Sequence, residues 1–419
     1  MPVEAAAAVE KLYRDDWGKI VATLIRLVGD FDLAEECAQE AFTAAVDQWQ
    51  EAGVPEFPQA WIIRTARNKA IDRIRRKSKF EEELDPYLER KPDAVATDFD
   101  YDPKQIPDDL LRLIFTCCHP ALAAEAQVAL TLHTLCGLET DEIARAFLMP
   151  VPTMAQRLVR AKRKIRDAKI PYVVPETSEM VARLDAVLTV IYLIFNEGYA
   201  ATHGGSMIRT DLCAEAIRLA RLLRSLLAPQ PPSELTALLA LMLLHDSRKE
   251  ARLTEAGDII VLEEQDRSLW NRAQIEEAMP LVQEAFRGGA GPYALQAAIT
   301  ATHCQAERFE DTNWQQILQL YNLLDQIQAS AVVSLNRAVA VAMAEGLNAG
   351  LKIIDSLAED GDLKKYHLLH AARADLLRRL GTFDEAAKSY EQALKLVTNE
   401  SERRYLERRL QEVKAAKVS

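Results

Sequence analysis

Residues 140–166 read TDEIARAFLMPVPTMAQRLVRAKRKIR, and this stretch constrains the fold more than any other. Ile143, Ala144 and Phe147 make one apolar stripe, and Met154, Leu158, Ala161 and Ile165 make a second, both at spacings of three and four. Two prolines in LMPVP break the chain between them, Pro152 suits a helix start, and Thr153 is a candidate cap. Two short helices joined by a tight turn must bury these stripes together. The opposite face of the second helix then carries Gln156, Arg157, Arg160, Arg163 and Lys164. This is the pattern of a helix-turn-helix, in which early residues of the second helix reach base edges and later cations meet phosphates. A solvated basic face is the competing reading, and the usual fate of a charge run.

The rest of the chain favours helices too. Gly accounts for only 15 of 419 residues, and Ala and Leu dominate, which predicts an all-α fold. Net charge is −12, and both halves are acidic on balance. Nucleic-acid contact would therefore come from local clusters. The second cluster lies in the predicted helix 59–80, where Arg64, Arg67, Lys69, Arg73, Arg75, Arg76, Lys77 and Lys79 oppose a single Asp72. Trp61, Ile62, Ala66, Ala70 and Ile74 form its apolar side. Trp61 and Asn68 sit among the cations, an interleaving suited to opened or single-stranded DNA, although such a Trp is more often core. Upstream, Asp30 or Asp32 can cap a helix that runs to Trp49. A strongly acidic, proline-punctuated segment follows the second cluster.

Two cationic helices separated by an acidic strand imply two DNA elements held apart. At these residues the chain resembles a family. AWIIRTARNKAIDRIRRKSK is similar to regions 2.3 and 2.4 of bacterial sigma-70 factors of the extracytoplasmic-function class. DLAEECAQEAFTAAVDQW is similar to region 2.2, and LETDEIARAFLMPVPTMAQRLVRAKRKIR to region 4.2. YLIFNEGYAATHGG, LEEQDRSLW and SLNRAVAVAMAEG resemble the subgroup with a tetratricopeptide-like extension.

The resemblance implies two small helical sigma domains, residues 1–80 and 108–171, the second carrying the helix-turn-helix. An acidic linker, 81–107, would join them, and a helical repeat-like extension would occupy 172–419. It implies core RNA polymerase, through its β′ clamp and β subunits, and promoter DNA as partners. Asp32, Glu35, Glu36, Gln39 and Glu40 match the polymerase-docking positions, and the loop QEAGVPEF matches the segment that captures a flipped −10 base. Trp61, Arg64, Arg67, Asn68, Lys69, Arg73, Arg76 and Lys77 would meet the −10 element. Thr153, Met154, Gln156, Arg157, Arg160, Arg163 and Lys164 would meet the −35 element. A protein or small-molecule regulator is expected at the extension.

The extension has its own pattern. Segments 335–357 and 369–394 each place a helix, a Gly and a second helix, with Gly346 and Gly381 spaced as in tetratricopeptide repeats. FNEGYAATHGG brings Asn196, Glu197, Tyr199 and His203 close in sequence, as a ligand site or as a polar loop. Asp266 and Arg267 are read as a buried pair. Catalytic constellations are thin. Cys117, Cys118 and His119 lack the gap and second ligand pair of a zinc site, and read as a buried helix end stopped by Pro120. His303 and Cys304 have no recognisable third partner. No enzyme, metal or cofactor is expected. Six dispersed cysteines, no targeting segment and no membrane-length apolar run point to a cytoplasmic protein with reduced thiols. The alternative is a stand-alone helix-turn-helix regulator with a repeat interaction domain.

Overall fold

Helical periodicity and local capping build the first three helices. α1 (Pro2–Val28) ends in Gly29 (φ +74°), and Asp30 then caps α2 (Phe31–Ala52) by accepting the Leu33 amide at 2.9 Å. The loop 53–57 leads into α3 (Pro58–Leu84), whose Ile62, Ile63, Ala66 and Ala70 are fully buried. Ile74 and Trp61, expected in the core, are half-buried. This computed structural model describes residues 2–84, 103–147, 149–201, 207–254, 257–360 and 363–416. The acidic linker expected at 81–107 falls largely outside them.

Four further helices follow: α4 (Ile106–Cys117), α5 (Ala124–Leu130), α6 (Thr140–Ala146) and α7 (Val151–Asp167). A π-helical turn, Thr131–Leu135, extends α5. Glu139 and Glu142 close a capping box on α6. Thr153, a candidate cap in sequence, sits inside the first turn of α7 instead, because Pro152 near the start lets the helix begin at Val151. The stripe Met154, Leu158, Ala161 and Ile165 is buried as its spacing requires.

These helices pack directly on α1. Gly18 is needed there: a Cβ would lie 2.5 Å from the Leu135 carbonyl oxygen. Beside it the Trp17 indole donates to Thr134 O at 3.2 Å, and the Tyr13 hydroxyl donates to Gly137 O at 3.2 Å. Farther along α1, Arg26 Nε meets both oxygens of the buried Asp109 carboxylate, at 2.8 and 3.0 Å. Residues 1–194 thus form one compact unit. It extends into α8 (Thr177–Ala201), where Arg183 donates to Phe115 O at 2.7 Å. The first part of α8 therefore belongs with the N-terminal helices, not with the extension expected from residue 172.

Residues 195–419 form the second unit. Described by itself, it contains α9 (Met207–Leu226), α10 (Ser233–Asp246), α11 (Arg272–Arg287), α12 (Pro292–Gln305) and α13 (Trp314–Ile327). Helix α10 is apolar all round, and Leu235 to Leu244 are buried on every face, as such a helix demands. Five more helices complete it: α14 (Ala331–Glu345), α15 (Leu347–Asp360), α16 (His367–Arg379), α17 (Phe383–Leu396) and α18 (Glu400–Ala416). The two glycines singled out in sequence close the hairpins α14–α15 and α16–α17 with φ of +120° and +77°. Ala386, Tyr390 and Ala393 are buried in the last cluster. Among the described residues there are eighteen α-helices and no strand, and no helix is long and apolar enough to cross a membrane.

Candidate nucleic-acid and polymerase interfaces

Helix α7 divides as its pattern requires. Thr153, Gln156, Arg160, Arg163 and Lys164 are exposed, and Arg157 is half-buried at the edge of this face. Arg163 keeps an ion pair with Asp167 at 3.2 Å. Met154 is fully buried, so it supports the helix and cannot contact bases from that position. One residue that sequence reasoning passed over joins the face: Val159, 64% exposed, lies one turn from Gln156 and Arg163 and beside Arg160 in sequence. Its spacing was the available signal, because it falls off the buried stripe. An exposed apolar side chain among polar ones fits a thymine methyl in the major groove.

On α3, Arg64, Asn68 and Arg76 are exposed, as is Arg75. Arg67 is buried, one turn along from the core residue Ile63. Lys69 and Arg73 turn toward α2: Lys69 pairs with Glu40 at 3.3 Å, and Arg73 is bound by both Glu36 and Glu40. Lys77 lies in the helix beyond the residues whose side chains are described. Trp61 packs edge-to-face on Trp49, ring centres 5.4 Å apart. The aromatic that stands free is Phe57, 66% exposed in the loop that leads into α3.

The five acidic and polar positions of α2 do not share one environment. Gln39 and Glu36 are exposed, Glu40 is half-buried, and Asp32 is exposed but bound to Lys162 of α7 at 2.9 Å. Glu35 is the correction. It is 5% exposed and cannot be a docking residue in this arrangement. Its carboxylate accepts from Thr134 Oγ1 and from Lys162 Nζ, each at 2.6 Å, and lies 3.4 Å from His133 Nε2. The spacing of acids along α2 gives no hint of this, because the partners lie far away in sequence.

Electrostatics follow from this cluster. Burial pushes the Glu35 carboxyl up, but the hydrogen bond to His133 and the charge of Lys162 outweigh it and hold the group at about 2. Burial pulls His133 down, yet the bond and charge of Glu35 raise it above its ordinary 6.5. His133 Nδ1 faces the Leu138 carbonyl at 2.9 Å, so the protonated ring donates on both sides. Glu35's contribution is present above pH 4.5 and is lost as pH falls toward 2. His133's contribution is complete below pH 6.5 and is lost as pH rises through its raised value. The cluster should therefore be strongest between about pH 4.5 and 6.5. Amide hydrogen exchange across α2 and α7 checks this: equal protection at pH 6 and pH 9, after correction for intrinsic rates, would contradict it.

The other sequence candidates resolve locally. Cys117 and Cys118 are buried at the end of α4, burial pushes the Cys118 thiol up to about 12, and His119 Nδ1 accepts the Ala121 amide. Asp266 and Arg267 do not pair. Asp266 accepts the Ser268 amide at 2.9 Å, whereas Arg267 is buried and donates to His303 O at 2.8 Å. Asn196, Glu197 and Tyr199 lie on α8 rather than in a loop, and His203 falls outside the described residues.

The comparisons with known proteins agree with this geometry. Residues 12–80 match the model for Sigma-70 region 2, and residues 112–165 match Sigma-70, region 4. The chain carries sigma-70 regions 2 and 4 and is a sigma-70-like factor. Sigma-70 factors are DNA-binding proteins of transcription initiation and not enzymes, and this sigma-70 factor is of that kind. Residues 183–286 match a family of unknown function, DUF6596. This factor is 43% identical over 400 residues to the uncharacterized protein R00370 of Rhizobium meliloti (strain 1021), covering 94% of this chain and 93% of that protein. It is 28% identical over 170 residues to the probable ECF RNA polymerase sigma factor SigI of Mycobacterium tuberculosis (strain CDC 1551 / Oshkosh). That match covers 40% of this chain and 56% of the relative.

Proposed function

We propose that this sigma-70 factor is of the extracytoplasmic-function class, binds core RNA polymerase through α2, and selects promoters by two separate elements. In this reading α7 enters the major groove of the −35 element with Gln156, Val159 and Arg160 toward bases. Arg163 and Lys164 meet phosphates. The exposed side of α3 and the loop before it take the −10 element, with Arg64, Asn68 and Arg76 on the backbone. Asp32, Glu36, Gln39 and Glu40 form the docking edge. The observation that carries the reading is the exposed polar face of α7 over a buried stripe, in a chain whose two matched regions stand in family order.

The Glu35–Lys162 cluster bears on how the factor works. Lys162 stands on the DNA-reading helix, and its partners Asp32 and Glu35 stand on the docking helix. Polymerase that engages Asp32 removes a partner from Lys162, so docking on α2 and release of α7 are linked. We propose that the helical extension regulates the activity of the factor.

Reconstitution tests the reading: the purified chain should direct specific transcription only when mixed with core polymerase. Tight operator binding without polymerase would favour a stand-alone regulator. Within that assay, Lys164→Ala should weaken binding to all promoters alike, by under about 1 kcal/mol, and lower the salt slope by about one. A change in base preference at unchanged salt slope would place Lys164 on a base edge instead.

A further inference from the structure

The second unit holds a partly open cavity of about 300 Å³ that the transcription reading does not use. Its volume is at the lower bound of small-molecule sites, about 300–1,000 Å³. Phe309, Trp314, Tyr321 and Tyr405 supply aromatic wall, and Val339 and Met343 supply aliphatic wall. Trp314 meets Phe309 edge-to-face at 5.7 Å and His303 at 5.2 Å, which fixes the ring that faces the cavity. The segment 258–264 closes one side. It is tied to α16 and α18 by Arg404–Asp258 at 2.6 Å, and by Arg379–Glu263 and Arg409–Glu264.

Charge decides the class of ligand. Arg379 is already engaged by Asp375 at 2.7 Å and by Glu263, and Arg409 by Glu412 at 2.9 Å and by Glu264. Neither arginine is left to hold an anion, and Asp375 and Glu263 are likewise spent. Besides the hydroxyls of Tyr321 and Tyr405 and the Trp314 indole N–H, uncharged polar lining comes from Asn336 and His303. The Asn336 amide is exposed at the lining, and His303 presents its ring. His303 Nδ1 is buried, so Nε2 is the nitrogen that a molecule in the cavity can meet. Burial, with the charges of Arg248 and Arg267, holds this imidazole at about 4, so it is neutral at pH 7 and offers one donor or acceptor without charge.

We infer that this cavity binds a small, planar, uncharged aromatic molecule that carries hydrogen-bonding nitrogen on one edge. The aromatic walls take its faces, and His303 with Asn336 takes the polar edge. This inference is independent of the polymerase and promoter assignments.

The test uses the full chain and calorimetry with four probes: benzimidazole, its hydrocarbon shape-mate indene, benzoate and benzamidine. Benzimidazole should saturate one site and bind about tenfold tighter than indene, because only it satisfies the polar edge. His303→Leu should abolish that preference while retaining indene, which a merely unfolded variant would not do. Val339→Trp should fill the cavity and weaken both probes at least about tenfold. Absence of saturable benzimidazole binding overturns the inference. So does tighter binding of benzoate or benzamidine, a preference that survives His303→Leu, or unchanged affinity in Val339→Trp.

Discussion

Replacing Lys162 with alanine is expected to destabilise residues 1–194 by about 3–5 kcal/mol, the usual cost of leaving one member of a buried ion pair alone. Glu35 is buried, and Lys162 is its closest cationic partner, at 2.6 Å with only 12% of the lysine side chain exposed. His133 remains to compensate, but only while it holds its proton. The loss in Lys162→Ala should therefore be smaller at pH 6 than at pH 9, where the raised imidazole has begun to release its charge. Removing both charges together, as Glu35→Leu with Lys162→Met, should restore most of the stability, because no uncompensated ion is then buried. Hydrogen exchange on α2 and α7 resolves this unit without assuming that the whole chain unfolds in one step. A cost below about 1 kcal/mol at pH 9 would reduce the cluster to an ordinary surface contact.

The same cluster marks the limit of what the sequence made legible. Periodicity located the buried stripe of α7, the core side of α3 and the caps around Asp30, because each depends on residues within a turn or two of one another. Gly346 and Gly381 were readable as hairpin turns for the same reason, and both have positive φ. Glu35 was not. Its neighbours Asp32, Glu36, Gln39 and Glu40 share its polarity and spacing, and only the packing of α1 and α7 around the Thr131–Leu135 turn buries one acid and leaves the others outside. Gly18 carries the only local trace of that packing, and a single helical glycine does not say what approaches it. Lys69 and Arg73 show the converse. Read along α3 they are two more cations for DNA, yet the half-buried edge they occupy faces the acids of α2. The spacing of Met154 puts it in the buried stripe, whereas the family resemblance puts it among the base readers; burial decides for the stripe.

Those positions bear on the proposal that an aromatic side chain near the start of α3 takes an unstacked base. Phe57→Ala is expected to reduce open-complex formation on a cognate promoter by about 1–3 kcal/mol, or roughly five- to 150-fold, the range for loss of one base–aromatic stack. Trp61 was the sequence candidate, but its ring is committed edge-to-face to Trp49 and is half-buried, so Trp61→Ala should act chiefly by loosening α3 on α2. Phe57 is exposed, and its backbone carbonyl accepts the Trp61 amide at 3.1 Å, which anchors it at the start of α3 without covering its ring. An exposed Phe held in a turn has little structural reason to be there, since burying it elsewhere would be favourable by about 2 kcal/mol. The two variants separate on two readouts. Phe57→Ala should leave thermal stability and holoenzyme formation unchanged while permanganate reactivity of the melted strand falls. Trp61→Ala should lower stability first, with melting falling in proportion. Full strand opening by Phe57→Ala holoenzyme would remove the loop from the −10 site and leave α3 alone to account for it.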